Sequence, residues 1–265
     1  MPRKRGLLIY NKEEKEINKA FIKMLIDAAN KREIDLRYLD KEEALENPFE
    51  ADFIINRTRD YKVAEQYEKR KILAFNSSFI NRIGNDKYLT YQEIEKLHIP
   101  YLPLVGESDY PYVLKSRSGH GGKEVFLIKN KEDLQIAKAK LKDQAYLCQS
   151  IAQTLGKDLR VYVMGGKIIQ ALLRDGNGDF RSNYGLHGKA SIYNLNKEEE
   201  ALVFKIIKAL KPDYAGIDFL FHQNKLVFNE IEDVVGARML YEQTNLNIAD
   251  LYLEYIGGKI HDIRS

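Results

Sequence analysis

Four short apolar runs, GLLIY (6–10), IDLRYLD (34–40), DFIINRTRD (52–60) and KILAFN (71–76), are separated by polar stretches of helical character. Strands alternating with helices in this way limit roughly the first 80 residues to a small α/β layer. After the first run, Ile17, Ala20, Phe21, Met24, Leu25 and Ala28 fall at i, i+3, i+4, i+7, i+8 and i+11. That spacing predicts one apolar helix face.

The pattern changes beyond residue 80. In NDKYLTYQEIEKLHIP (85–100), Asn85 or Asp86 is placed to cap a helix, Tyr88, Tyr91, Ile94 and His98 to line one face, and Pro100 to stop it. PYVLKS and EVFLI read as strands around a glycine-rich stretch, Leu134, Ala137 and Leu141 mark a helix, and AYLCQSI a further strand. DLRVYVMGGKIIQALLR reads as two apolar strands joined at Gly165-Gly166, a strong hairpin signal. A polar, glycine-rich loop, DGNGDFRSNYGLHGKA, follows. Val203, Ile206, Ile207 and Leu210 then make a helix face, YAGIDFLF and KLVFNEIE a second hairpin, and NIADLYLEYI a closing helix. The order is α/β first, then two α+β units, with boundaries expected at 1–82, 83–148 and 149–265.

Bulk properties exclude several classes of function. The 265 residues are 44% hydrophobic and 31% charged, an ordinary soluble mixture, and the net charge of +3 gives no argument for nucleic acid or an acidic membrane surface. A single cysteine, Cys148, precludes a disulfide framework, and with five scattered histidines it supports neither a zinc site nor thiol redox chemistry. GLLIY is too short for a signal peptide and no apolar run approaches the ~20 residues of a membrane helix, so a cytoplasmic location is expected.

KSRSGHGGKEV (115–125) places Lys115 before three glycines. It does not fit a Walker P-loop, because Gly122-Lys123 is followed by Glu124 and the position five before Gly122 is Arg117. The dinucleotide fingerprint fails too, and the stretch joins strand to strand. Two readings stay open: a β-turn with an incidental lysine, or a lid whose backbone N–H groups approach phosphate oxygens where no Cβ intervenes.

Asp218 and Glu230 interrupt apolar strands that a short loop around HQNK would set opposite each other to within about one residue of register. Glu232 shares a face with Glu230. Three carboxylates so placed raise one another's pKa unless a cation lies between them, and Mg²⁺ suits such oxygen donors. The alternative is a solvated acidic strand face, against which stand the apolar neighbours Phe219, Leu220, Phe228 and Ile231. Between loop and carboxylates lies a set with Lys157, Asp158, Arg160, Arg174 and Arg181. Arginine suits a migrating phosphoryl group, although any one of them alone also reads as a surface ion pair.

Taken together, residues 85–256 resemble the ATP-grasp superfamily, in particular the RimK-like branch of ribosomal-protein glutamate ligase and the lysine-biosynthesis carrier-protein ligase. NDKYLTYQEIEKLHIP is similar to that branch's DK helix, YVLKSRSGHGGKEVFLI to its lysine strand and glycine lid, and GDFRSN to its signature. AGIDFL and NEIEDVVGAR fall where the two metal-ligand strands belong. The resemblance implies a small N-terminal α/β (pre-ATP-grasp) domain before a two-lobed ATP-grasp unit. It implies ATP-phosphate contacts from Lys87, Lys115 and the lid residues Ser118, Gly119, Gly121 and Gly122. Adenine would meet the backbone of Gln149, Ser150 and Ile151, and the ribose hydroxyls Asp158. Arg174 and Arg181 would face phosphoryl transfer, and Asp218, Glu230 and Glu232 would hold Mg²⁺, with Mn²⁺ an alternative. Two features depart from the branch: Glu232 stands where Asn is usual, and YGLHGKA lacks the usual His-Arg-Gly-Gly order.

The implied chemistry is carboxylate–amine ligation through an acyl phosphate, releasing ADP and phosphate. The partners would be a small-molecule, peptide or carrier-protein carboxylate and an amine or amino acid, with no nucleic acid or membrane and with a homo-oligomer left open. A small-molecule kinase and a non-catalytic ATP-binding protein are the rival readings. In the first domain, NRTRD (56–60) is placed to present Arg57 or Arg59 to an acidic group, or else is a solvated loop.

Overall fold

The computed structural model describes residues 3–46, 49–176 and 189–262. Its first strands, β1 (Lys4–Tyr10), β2 (Ile34–Asp40), β3 (Phe53–Asn56) and β4 (Leu73–Phe75), form a parallel sheet in the order β2-β1-β3-β4. Helices α1 (Lys19–Asn30), α2 (Lys41–Glu46) and α3 (Tyr61–Glu68) make the crossovers. Because strand side chains alternate, β1 feeds two cores. Leu7 and Ile9 pack with Val63 and Tyr67 on one side, while Leu8 and Tyr10 join Leu25 of α1 on the other. The second core also takes in Leu253 and Ile256 of α9 (Ile248–Asp262), so the last helix covers the first sheet.

Helices α4 (Ser78–Gly84) and α5 (Lys87–Lys96) lead into a three-stranded antiparallel sheet. It comprises β5 (Tyr112–Ser116), β6 (Val125–Ile128) and β7 (Tyr146–Gln149), in the order β6-β5-β7, and α6 (Lys131–Leu141) packs on it. Five antiparallel strands follow in the order β10-β9-β8-β11-β12. These are β8 (Lys157–Met164), β9 (Lys167–Asp175), β10 (Lys189–Tyr193), β11 (Tyr214–His222) and β12 (Lys225–Glu232). One face buries Leu159, Val161, Ile217, Phe219 and Ile231 against α7 (Lys197–Leu210), α4 and α5. The opposite face therefore receives Asp158, Arg160 and Asp218. No helix among the described residues is long and apolar enough to cross a membrane.

Several local expectations shift. The first helix begins at Lys19 and buries Ile22, Leu25, Ala28 and Ala29, leaving Ile17 exposed before it. In α5, Asp86 caps the N-terminus and Thr90, Tyr91 and Ile94 are buried. Tyr88 instead lies outward beneath the Arg117 guanidinium, 4.9 Å from its ring, and His98 lies beyond the helix with φ 49°. Strand β10 and helix α8 (Arg238–Gln243) carry too weak a pattern to be read in sequence.

The first and last parts of the chain are also joined by a polar clamp. The buried Asn76 side chain donates to the carbonyls of Tyr214 (2.7 Å) and Asp233 (3.2 Å) and accepts from the N–H groups of Asp213 (2.7 Å) and Tyr214 (3.0 Å). Truncating it leaves several buried backbone groups unpaired, each costing roughly 1 kcal/mol or more. Asn76→Ala is expected to lower unfolding stability by about 3 kcal/mol, read from the denaturation midpoint at unchanged m-value.

Candidate active site

A cavity of about 230 Å³ lies between the three-stranded and five-stranded sheets, with the glycine stretch as one wall. The loop is shaped by its glycines. Gly121 and Gly122 have φ of 68° and 70°, and a Cβ on Gly119 would lie 2.4 Å from the Glu124 carboxylate. Its position is fixed from α5. Arg117 pairs with Asp86 (Nε–Oδ1 3.0 Å), the Lys87 N–H donates to the Arg117 carbonyl (2.9 Å), and the Lys87 ammonium donates to the Gly119 carbonyl. Ser118, Gly119, His120, Gly121 and Gly122 all line the cavity.

Lys115 lies one residue before the end of β5 with its ammonium buried, donating to Asn229 Oδ1 (2.8 Å) and the Tyr91 hydroxyl (3.2 Å). Burial draws its pKa down to about 8, with the Glu230 carboxylate working against the shift. The Lys87 ammonium lies 3.2 Å from Glu230 Oε2. Burial would raise the Glu230 pKa, but its cationic neighbours, Lys87 foremost, hold it below the ordinary value.

The hairpin register is the expected one: Asp218 faces Glu230 directly, with a bulge between Asp218 and Phe219. On the other side Asp218 faces Arg160 of β8. Arg160 grips both carboxylate oxygens (Nε–Oδ1 2.8 Å, Nη2–Oδ2 2.7 Å), and Arg174 of β9 reaches Oδ2 at 2.6 Å. The Arg174 fork also holds Asp158 (Nε–Oδ1 2.6 Å), and Arg160 Nη1 lies 2.6 Å from Glu232. Asp218 is wholly buried; that would raise its pKa, but Arg160 and Arg174 prevail and hold it at about 2. Gly216 makes room for this arrangement, since a Cβ there would lie 3.3 Å from the Arg160 side chain and 2.8 Å from Val235.

The three carboxylates therefore do not converge on one point: no group of three metal-ligating side chains stands together among the described residues. Asp218 has turned into the arginine forks, while Glu230 and Glu232 line the cavity. Lys87, Lys115, Asp158 and Arg174 line it as well. Gln149 and Ser150 do so too, but the Ser150 N–H is already spent on the Pro103 carbonyl, and Ile151 is not among the lining residues. Arg181 lies outside the described residues.

Sequence reading passed over Asn229 and a buried polar cluster around Asp233. Asp233 accepts from Asn81 and Asn85 (2.8 Å from the latter), and burial lifts its pKa to about 7 against those bonds. Asn229 was signalled only by standing next to Glu230. Asp233 gave no signal, because its partners lie some 150 residues away.

A family model described as the RimK-like ATP-grasp domain matches residues 78–256. The chain is 28% identical over 247 residues to an uncharacterized MG011 homolog of Mycoplasma pneumoniae, covering 89% of this chain and 86% of that one. It is 27% identical over 216 residues to a probable alpha-L-glutamate ligase of Haemophilus ducreyi, covering 74% and 69%. Among solved structures, the D-alanine–D-alanine ligase of Bacillus anthracis complexed with ATP superposes with TM-score 0.76 at 15% identity, covering 98% of each chain. The fold is the ATP-grasp fold, and the chain belongs to the RimK-like ATP-grasp family.

Proposed function

We propose that this protein is an ATP- and Mg²⁺-dependent carboxylate–amine ligase that works through an acyl phosphate. The observation that carries the reading is the pairing, across one cavity, of two lysines beneath a glycine loop with two carboxylates on β12. Membership of the RimK-like family and likeness to a probable glutamate ligase support it. The organisation goes with it: residues 1–82 as the preceding α/β domain, 83–148 as the lobe bearing the loop, and 149–265 as the lobe bearing the carboxylates.

The donor set fits a hard cation. Glu230 and Glu232 offer oxygen atoms to the cavity, with cations as their present neighbours. Asp218 would join them only if Arg160 or Arg174 released an oxygen. Bound there, Mg²⁺ would neutralise phosphate charge.

Lys115 and Lys87 would meet the phosphates, their charge matching the oxygens of the transferring group. A substrate carboxylate oxygen attacks the γ-phosphorus, the bond to the bridging oxygen breaks, and ADP departs. The amine nitrogen then attacks the acyl carbonyl carbon, the carbonyl C–O bond to phosphate breaks, and the amine's proton passes to the departing phosphate as the amide forms. Arg174 would steady the developing oxyanion once a substrate loosened its hold on Asp158 and Asp218. The loop would keep water from the acyl phosphate. Gln149 and Ser150 remain candidates for the adenine end and Asp158 for the ribose.

ADP release, screened over amino acids, short peptides and carrier-protein tails with Mg-ATP, is expected to appear with at least one carboxylate–amine pair. Hydroxylamine should convert the intermediate to a hydroxamate, which a kinase acting on a hydroxyl would never yield. Binding of Mg-ATP with no ADP from any pair would overturn the reading. Lys115→Ala and Glu230→Ala should each cut turnover at least about 100-fold in a folded protein.

Lys115 also makes a prediction about the empty protein. Its pKa falls from 10.5 when unfolded to about 8 when folded, so between those values the unfolded chain binds more protons. The Lys115 contribution to stability, read as the difference between wild type and Lys115→Met in paired denaturation curves, should rise with pH across that window. Buried Cys148 and the buried tyrosines, with raised pKa values, act the other way in both proteins.

A further inference from the structure

NRTRD (56–60) contains two arginines, and the fold gives them opposite fates. Arg57 is buried, and its Nη2 donates to the Val235 carbonyl at 2.8 Å, which ties the end of β3 to the chain beyond β12. Arg59 points the other way and lines the cavity, brought there from the first sheet.

The turn that carries Arg59 is fixed from several directions. Asn56 Oδ1 accepts from the Thr58 N–H (3.1 Å) and hydroxyl (2.8 Å), the Asp60 N–H donates to the Thr58 hydroxyl (3.2 Å), and Asn81 donates to the Thr58 carbonyl (3.0 Å). The guanidinium is also held: Nη1 donates to Glu14 Oε1 at 2.6 Å, and Asn11 reaches the other Glu14 oxygen at 3.4 Å. No other hydrogen bond of the Arg59 guanidinium forms among the described residues. Its Nε and Nη2 edge, the edge that meets a carboxylate with two parallel bonds, is left for a ligand.

Among the described residues, Arg59 keeps part of its guanidinium open at this rim, and Lys157, which also lines the cavity, pairs with Asp175 at 3.4 Å. Lys87, Lys115, Arg160 and Arg174 are committed to Glu230, Asn229 and the aspartates deeper in the site. His120 lines the same cavity from the loop tip, and burial together with the Arg59 charge lowers its pKa from the ordinary imidazole value.

We propose that Arg59, positioned by Glu14, is the residue that binds a substrate carboxylate the reaction does not consume. The proposal rests on the ligase reading for the reaction, but the binding site itself does not.

Calorimetry can separate the two. With Mg²⁺ and a non-hydrolysable ATP analogue present, the protein would be titrated with glutamate, aspartate, alanine and short dipeptides, and with the same molecules as α- or C-terminal carboxamides. At least one free acid is expected to bind about 10- to 100-fold more tightly than its carboxamide. Arg59→Gln should abolish that difference while binding the ATP analogue normally, and Arg59→Lys should restore part of it. A purely structural Arg59–Glu14 pair would lower stability without touching the acid–amide ratio. Equal binding of acids and amides, a ratio that survives Arg59→Gln, or no binding of any acid would each overturn the proposal. ADP release measured in parallel distinguishes the readings: an Arg59-dependent ligand that yields no ADP keeps the site and sinks ligation, and ADP formed independently of Arg59 does the reverse.

Discussion

The buried Asp218 carboxylate, held by two arginine forks, is the interaction on which the site depends. It joins β8, β9 and β11 on the polar face of the five-stranded sheet. A charge so deep is tolerable only with excellent partners, and removing one partner of such a set typically costs about 3–5 kcal/mol. Arg160 and Arg174 pass the constraint outward to Glu232 and Asp158. Four cations, Lys87, Lys115, Arg160 and Arg174, thus balance four carboxylates, Asp158, Asp218, Glu230 and Glu232. On the reading proposed above, a polyanionic ligand entering with a divalent cation would exchange partners with these ion pairs.

Strand pairing was legible from the chain because its signals are local. Gly165-Gly166 does join β8 to β9, and Gln223 and Asn224, both with positive φ, close the turn from β11 to β12. That hairpin delivered Asp218 opposite Glu230 as the alternation of apolar residues requires. The destination of the Asp218 side chain was not legible. Its arginine partners lie 58 and 44 residues away, and no local pattern distinguishes a carboxylate meant for a cation from one meant for a guanidinium. The same limit hid Asp233 and Asn76, whose side-chain partners Asn81, Asn85, Tyr214 and Asp213 lie on distant elements. Tyr88 fell on the wrong side for a different reason: Asp86 fixes where α5 starts, and Arg117 offers the ring a cationic cover outside the core.

The contrast between Arg57 and Arg59 shows how one turn serves two purposes. Side chains two apart on an irregular segment need not share a face. The Asn56 and Thr58 bonds settle the matter here by sending one arginine to the interior and the other to the cavity. On the proposed reading, the wall that would read a substrate belongs to the first sheet, and the groups that would meet phosphates lie on the other two sheets and α5.

The sharing of a core between α9 and the first sheet has a consequence for how the molecule is made. Leu8, Tyr10 and Phe53 leave the ribosome early, yet part of their cover, Leu253 and Ile256, is synthesised near the end. Contacts this distant close slowly. The nascent sheet must carry an exposed apolar face through most of translation, during which its partners for aggregation, or the chaperones that prevent it, have their chance.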